Sequence, residues 1–337
     1  MEFRTLNSVP LLPASVLGLG CARLGSVLTP SSGAGDHRLI DLALAEGVNF
    51  FDTANIYGQG DSERTLGRAL RGRRDRVLIV SKGGQRFSPL GRATPLVKPL
   101  LRAAAAQLPA LRRLIARVRR GHVGHSFDRR QLTRSLEESL RRLGTDYLDA
   151  YLLHGPPLST IAREAVFDHL AGLKREGKIR SYGVSCDDAD EALAALRAPG
   201  VTMIQVPVNV GTVEVIDRFL PAALARGVDV IAREPLMGGA ALRTQDDRPR
   251  GEGPSPVRGA IRFVAGLPGV SVVLCGTTRP EHLRENVAAL TAPCPDAAAL
   301  ARLRARFAAA GPPEPPEPPA AKAFTPLDPV RRAGRPS

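Results

Sequence analysis

Eight short runs of apolar and β-branched residues recur along the chain. VLGLGC ends at Cys21, VNFFD at Asp52, VLIVS at Ser81 and YLDAYLLH at His154; IRSYGVS ends at Ser185, MIQVPV at Val208, VDVIA at Ala232 and VSVVLC at Cys275. Runs this short predict strands. Between them, in SERTLGRAL, DRRQLTRSLEESLRRLG and AVFDHLAGLKREGK, apolar residues return every three or four positions, which is the period of a helix buried on one face. Strand then helix, eight times over, predicts parallel strands with right-handed crossovers, and eight such units close into an α/β fold of the (β/α)8 TIM-barrel class. An open doubly wound sheet is the competing fold. It is weakened because GLGCARLG, after the first run, lacks the G-x-G-x-x-G spacing of a dinucleotide turn.

Three segments fall outside the repeat. Residues 1 to 15 precede the first barrel strand and are expected to form a short hairpin across the barrel bottom. Ser81 and Leu153 are 72 residues apart, whereas Cys21 to Asp52 takes 31 and Asp52 to Ser81 takes 29. An insertion of about 40 residues, at roughly 84–127, therefore follows the third strand. Its Leu100, Ala104, Leu108, Leu111, Ile115 and Val118 fall near helical spacing, and Pro109 is placed to start a second short helix. From Gly311 to Ser337 the chain turns Pro-rich and too poor in apolar residues to fold alone. The expected organisation is one barrel over residues 1–310 and a flexible tail over 311–337.

Composition changes this picture little. With 337 residues and 43% hydrophobic content the chain can bury one large barrel core. No apolar run is long enough for a membrane span and the start MEFRTLNSVPLLPAS is unlike a signal peptide, so the protein is expected to be cytoplasmic. Cys21, Cys186, Cys275 and Cys294 lack metal-ligand spacing and are read as reduced core thiols, with no metal expected. The net charge of +14 comes almost entirely from arginine, which supplies all but five of the 47 basic side chains. No nucleic-acid motif accompanies it, and nucleic acid is not an expected partner.

The charge is nevertheless uneven. Between Gly83 and Phe127 stand nine basic residues and no acid, so an anionic partner or an anionic substrate is a possible ligand of the insertion. In that reading its apolar residues lie on the barrel mouth as a lid, with Arg112, Arg113, Arg119 and Arg120 at the surface or pore edge. A plain cover with incidental arginines is the alternative.

Chemistry in such a barrel sits where the strands end at their C-terminal rim. Asp52 closes the second run, Tyr57 lies five residues on, Lys82 follows the third run and His154 closes the fourth. Taken alone, each has a plainer reading: Asp52 a turn or cap residue, Tyr57 a packed loop aromatic, His154 a structural imidazole. Together, on three neighbouring strand ends, they form a set suited to carbonyl reduction, which needs a hydride on carbon and a proton on oxygen. A phenol near its ordinary pKa of about 10 is a reluctant acid, and an adjacent ammonium lowers that pKa. Lys82 would supply the charge, Asp52 would hold Lys82, and His154 would orient the carbonyl oxygen.

The segments GVNFFDTANIYGQGDSERTLGRAL, VLIVSKGG, SLEESLRRLGTDYLDAYLLHG, IRSYGVS and CGTTRPEHLREN resemble the aldo/keto reductase superfamily, in order, from Phe3 to about Leu290. The resemblance implies the catalytic tetrad Asp52, Tyr57, Lys82 and His154 and a nicotinamide cofactor, NADP or NAD, bound across the barrel mouth. It implies a small-molecule aldehyde, ketone or aldose as substrate. Ser185 and Gln205 match carboxamide-binding positions, with Cys186 where Asn is usual. Arg233 takes the place of the stacking aromatic, and Leu236 lies in the same loop. Gly276, Thr277 and Thr278 match the pyrophosphate and ribose end; Glu285 and Asn286 match the adenine side. His282 stands where an Arg commonly grips the 2′-phosphate, and Arg279 or Arg284 is a substitute for it. Because a relative of this fold binds nucleotide and a channel protein, a non-enzymatic regulatory role is the alternative function.

Overall fold

The structure is a computed structural model that describes residues 1–25, 33–87, 123–242 and 255–309. Among these, eight strands close into a parallel barrel in chain order: β3 (Leu17–Gly20), β4 (Phe50–Asp52), β5 (Leu78–Gly83), β8 (Leu148–His154), β9 (Ile179–Ser185), β10 (Met203–Pro207), β11 (Asp229–Arg233) and β12 (Val270–Cys275), which returns to β3. They end at or within two residues of the ends anticipated from the sequence. Strand β1 (Phe3–Arg4) pairs antiparallel with β2 (Ala14–Ser15), as the leading segment predicts. A further pair, β6 (Gln85–Phe87) with β7 (Val123–His125), was not anticipated; it joins the two roots of the insertion. The body of the insertion, the lid it was expected to form and the Pro-rich tail lie outside the described residues.

The two-residue period of a strand decides what each side chain meets. Phe51, Ile79, Tyr151, Leu153, Ile204, Val230 and Val273 face outward and pack with the surrounding helices. Phe50, Leu78, Val80, Leu152, Met203, Ile231 and Val272 alternate with them and fill the barrel. Leu6 and Val9 join that interior cluster from the leading segment and close the bottom. The buried Asp229 carboxylate fixes this plug by accepting the backbone N–H groups of Ser8 (2.7 Å) and Asn7 (3.2 Å). Continuing the inward series upward from Phe50, Val80, Leu152, Met203 and Ile231 gives Asp52, Lys82, His154, Gln205 and Arg233. Thus one alternation that builds an apolar core delivers polar groups to the C-terminal rim of the barrel.

Helix Arg129–Leu143 shows how the outer layer is specified. Asp128 accepts from the Gln131 N–H at 2.7 Å to start it, Leu132, Leu136, Ser139 and Leu143 form its buried stripe, and Gly144 ends it at φ 66°. At the opposite end of the barrel, the buried Asp149 carboxylate accepts from Arg74 Nη2 (2.7 Å), Arg180 Nη1 (2.9 Å) and the Ile79 N–H (2.8 Å). Both guanidinium groups also lie 4.0 Å from the centroid of the Tyr147 ring. Asp149→Ala should therefore cost about 2–3 kcal/mol in urea unfolding, because it leaves a buried N–H and two partly covered cations without their acceptor. A loss below about 0.5 kcal/mol would show that the cluster is decorative.

Candidate active site

Strands β4 and β5 are neighbours, so Asp52 and Lys82 meet at the top of the barrel. The Lys82 ammonium donates to Asp52 Oδ1 and Oδ2 at 2.7 and 2.6 Å and to the Thr53 carbonyl at 3.1 Å. It also stands 3.4 Å from the Tyr57 hydroxyl. Lys82 is fully buried and Asp52 nearly so. A charge so far from water persists only when paired, and this one is paired on several sides.

Tyr57 reaches the ammonium through a turn that ordinary residues resist. Gly58, Gln59 and Gly60 all take left-handed backbone angles, φ 58°, 62° and 86°, which reverse the chain into the helix Asp61–Ala69. The loop is fastened from below by Thr53 Oγ1 and Ser62 Oγ (2.8 Å), Ser62 donating in turn to the Cys21 carbonyl (2.8 Å). Asn55 Nδ2 ties it to the Gln85 carbonyl and to Ser135 Oγ, and Gln85 Nε2 donates to the His154 carbonyl. These tethers bind the Tyr57 loop to the strand end that carries His154. The two rings meet edge to face, with centroids 5.8 Å apart.

The protonation states follow from burial and from the central ammonium. Burial raises the Tyr57 pKa, the Lys82 charge lowers it and the Asp52 charge raises it, with a net shift upward. The ammonium thus acts in the expected sense but burial outweighs it, and the phenol keeps its proton through the neutral range. Burial pulls the Lys82 pKa down, yet Asp52 and Tyr57 together pull it further up, so the amine stays charged. His154 is held well below its ordinary value by burial first and then by Lys82, Arg233 and His125. Its imidazole is neutral, and Nδ1 is buried with no hydrogen-bond partner among the described residues.

A cleft of about 570 Å3 opens above this group. Asp52, Tyr57, Gln205, Arg233 and Leu236 line its deep end; Gly276, Thr277, His282, Glu285 and Asn286 line the other. Ser185 lies behind Gln205, donating to its Oε1 at 3.0 Å, while Gln205 Nε2 donates to Asp52 Oδ1 at 2.8 Å. Gln205 keeps a second N–H and a second oxygen lone pair, a matched donor and acceptor for a carboxamide. Thr278 is half-buried beside Thr277 and does not line the cleft. Glu285 accepts from Ser255 Oγ at 2.8 Å.

Other anticipated residues have partners within the protein. Cys186 is buried in the outer core, its thiol pKa pushed well up chiefly by burial, and its carbonyl accepts from Arg233 at 3.0 Å. Arg233 is also ion-paired with Asp187 and Glu234. Arg284 pairs with Glu46 at 3.5 Å. Of the four cysteines read as core thiols, Cys21, Cys186 and Cys275 are buried but Cys294 is exposed, since it follows the helix Pro280–Ala289 in a short surface link.

The cleft also uses residues not singled out from the sequence: Gly20, Ala22, Arg23, Pro235, Gly238 and Gly239. Gly238 and Gly239 hold φ 62° and 87°, and a Cβ at either would meet nothing within 4 Å. The doublet in PLMGG was a readable sign of open, left-handed backbone beside a ligand groove. The space, the free Gln205 groups and this bare backbone fit a nicotinamide dinucleotide. Among the described residues no His, Cys, Asp and Glu cluster could hold a metal ion, and no helix is long and apolar enough to cross a membrane.

The sequence model of the aldo/keto reductase family matches residues 16–259. An uncharacterized oxidoreductase of Bacillus subtilis, YqkF, is 24% identical over 313 residues, covering 83% of this chain and 89% of that protein. A putative aldo-keto reductase from Pseudomonas aeruginosa superposes with a TM-score of 0.63 at 30% identity, over 85% of this chain and 93% of its own. An aldo/keto reductase from Klebsiella pneumoniae, solved with NADP and acetate, superposes with a TM-score of 0.65 at 25% identity, over 91% and 96% of the two chains.

Proposed function

The chain belongs to the aldo/keto reductase family and is an NAD(P)-dependent oxidoreductase; on that premise we propose that it interconverts an aldehyde, ketone or aldose and its alcohol, with Tyr57 giving and taking the proton. The observation that carries this reading is the hydroxyl of Tyr57, a residue that lines the cleft, standing 3.4 Å from the buried, charged Lys82. When bound, the cofactor supplies or accepts the hydride.

The protein's own groups do the rest. In reduction, the Tyr57 O–H donates to the carbonyl oxygen as negative charge builds there, and the phenolate left behind is stabilised by Lys82. Asp52 keeps the ammonium in place without reaching the substrate itself. The neutral His154 imidazole donates a hydrogen bond to the same carbonyl oxygen and fixes its direction. Gln205, positioned by Ser185, would hold the carboxamide of the cofactor at the part of the cleft that Tyr57 lines. At the far end, Asn286 and Glu285 would hold the adenine side and His282, with Arg279 at the start of the same helix, would meet a 2′-phosphate, Arg284 being turned toward Glu46. NADP is accordingly the proposed cofactor, as in the solved relative from Klebsiella pneumoniae.

The test is oxidation of NADPH and NADH by the purified protein with a panel of small aldehydes, ketones and aldoses, run beside His154→Gln. Wild type should turn over at least one substrate. The variant should lose about tenfold to a hundredfold in kcat/KM, less than a Tyr57 variant, because an amide still donates a hydrogen bond. Cofactor binding without turnover on any carbonyl would instead favour a nucleotide-binding regulator.

A further inference from the structure

Arg233, on the same rim, is held by three partners from two loops. It rises from the end of β11 and reaches across β10 to the end of β9, where Nη2 donates to the Cys186 carbonyl at 3.0 Å and to the Asp187 carboxylate. Nη1 donates to the carboxylate of its neighbour Glu234. Guanidinium hydrogen bonds lie in the plane of the group, so these partners occupy its edge and not its flat faces. Glu234 holds a left-handed φ of 58°, rare for a residue with a side chain. Its carbonyl accepts from the Met237 N–H (3.0 Å) and Asn209 Nδ2 (3.3 Å), which keeps it there.

A guanidinium is an awkward neighbour for a redox nicotinamide. The oxidised ring is a pyridinium carrying a full positive charge, whereas the reduced ring is neutral. A lone arginine against that ring would repel the oxidised form and leave the reduced form nearly unaffected. Here two carboxylates sit on the arginine's edge, so Arg233, Asp187 and Glu234 together carry one negative charge. His125, which feels the Asp187 charge, has its pKa lowered chiefly by burial and adds little positive charge at neutral pH.

We infer that Asp187 and Glu234 set the relative affinity for oxidised and reduced cofactor, by compensating the charge of Arg233 while holding its flat face toward the nicotinamide. The inference rests on the proposed placement of the nicotinamide at the deep end of the cleft. It gives these two acids a positioning and electrostatic role, distinct from proton transfer. It also explains how an arginine can serve where an uncharged aromatic would do the same stacking.

The experiment is calorimetric titration of NADP+ and NADPH, repeated with NAD+ and NADH, into wild type, the double variant Asp187→Asn/Glu234→Gln, and Arg233→Leu. The amides keep the hydrogen bonds to Arg233 and remove only charge. At low ionic strength the double variant should raise the ratio of the oxidised to the reduced Kd by about threefold or more, an effect that shrinks in high salt. Arg233→Leu should move the ratio the opposite way, since the two acids then stand uncompensated. Equal changes for both cofactor forms in all variants, or an unmoved ratio, would overturn the inference. Failure of wild type to bind either form would overturn the proposed function on which it rests.

Discussion

Replacing Tyr57 by Phe should lower carbonyl reduction by about a hundredfold or more while fold and cofactor affinity stay near those of wild type, the scale expected when a general acid is removed. The hydroxyl is the only atom group lost, the ring still meets His154 edge to face, and the Lys82–Asp52 pair below is untouched. Among the described residues no side chain beside it can replace it as proton donor: His154 is already neutral with a depressed pKa, and Lys82 is committed to Asp52 and the Thr53 carbonyl. A kcat within a factor of three of wild type would assign the proton to another group.

Lys82→Met has a comparable effect for a different reason. The ammonium is the group that opposes the upward shift of the Tyr57 pKa caused by burial and by Asp52. Without it that pKa rises further. Reduction needs the protonated phenol, so the pH at which reduction falls away moves up; oxidation needs the phenolate, so the pH at which it sets in also moves up. At neutral pH both directions should lose about a hundredfold, because the phenolate no longer has a neighbouring cation. The Asp52 carboxylate would be left buried with Gln205 as its remaining named partner, a cost of about 3 kcal/mol. Asp52→Asn/Lys82→Met separates that folding cost from the catalytic one. Should the double variant be stable and its pH profile match wild type, Lys82 would be purely structural.

Much of this site could be read before the structure because a barrel strand has one period and one functional end. Asp52, Lys82 and His154 each continue an inward-facing apolar series, and the run lengths place them on one rim. Tyr57 was legible for its five-residue offset from Asp52, although the left-handed turn through Gln59 that presents it was not. The net direction of its pKa was missed because sequence shows the partner charge but not the depth of burial. Arg233 posed a similar problem: its position on the rim was evident, its pairing with Asp187 required two loops from different strands. Cys294 shows the limit of composition, since a thiol's burial depends on what packs over it. The pair β6 and β7 left no signal, as Gln85–Phe87 and Val123–His125 are short and lie at opposite ends of the insertion.

Single-turnover transfer from NADPH deuterated at the hydride position, followed in wild type and Tyr57→Phe with one accepted aldehyde, tests the central claim most directly. The account predicts one deuterium on the carbinol carbon of the wild-type product and a transfer rate in Tyr57→Phe lower by about a hundredfold, at equal occupancy of the cofactor site. Deuterium transfer at the same rate in both proteins would contradict it.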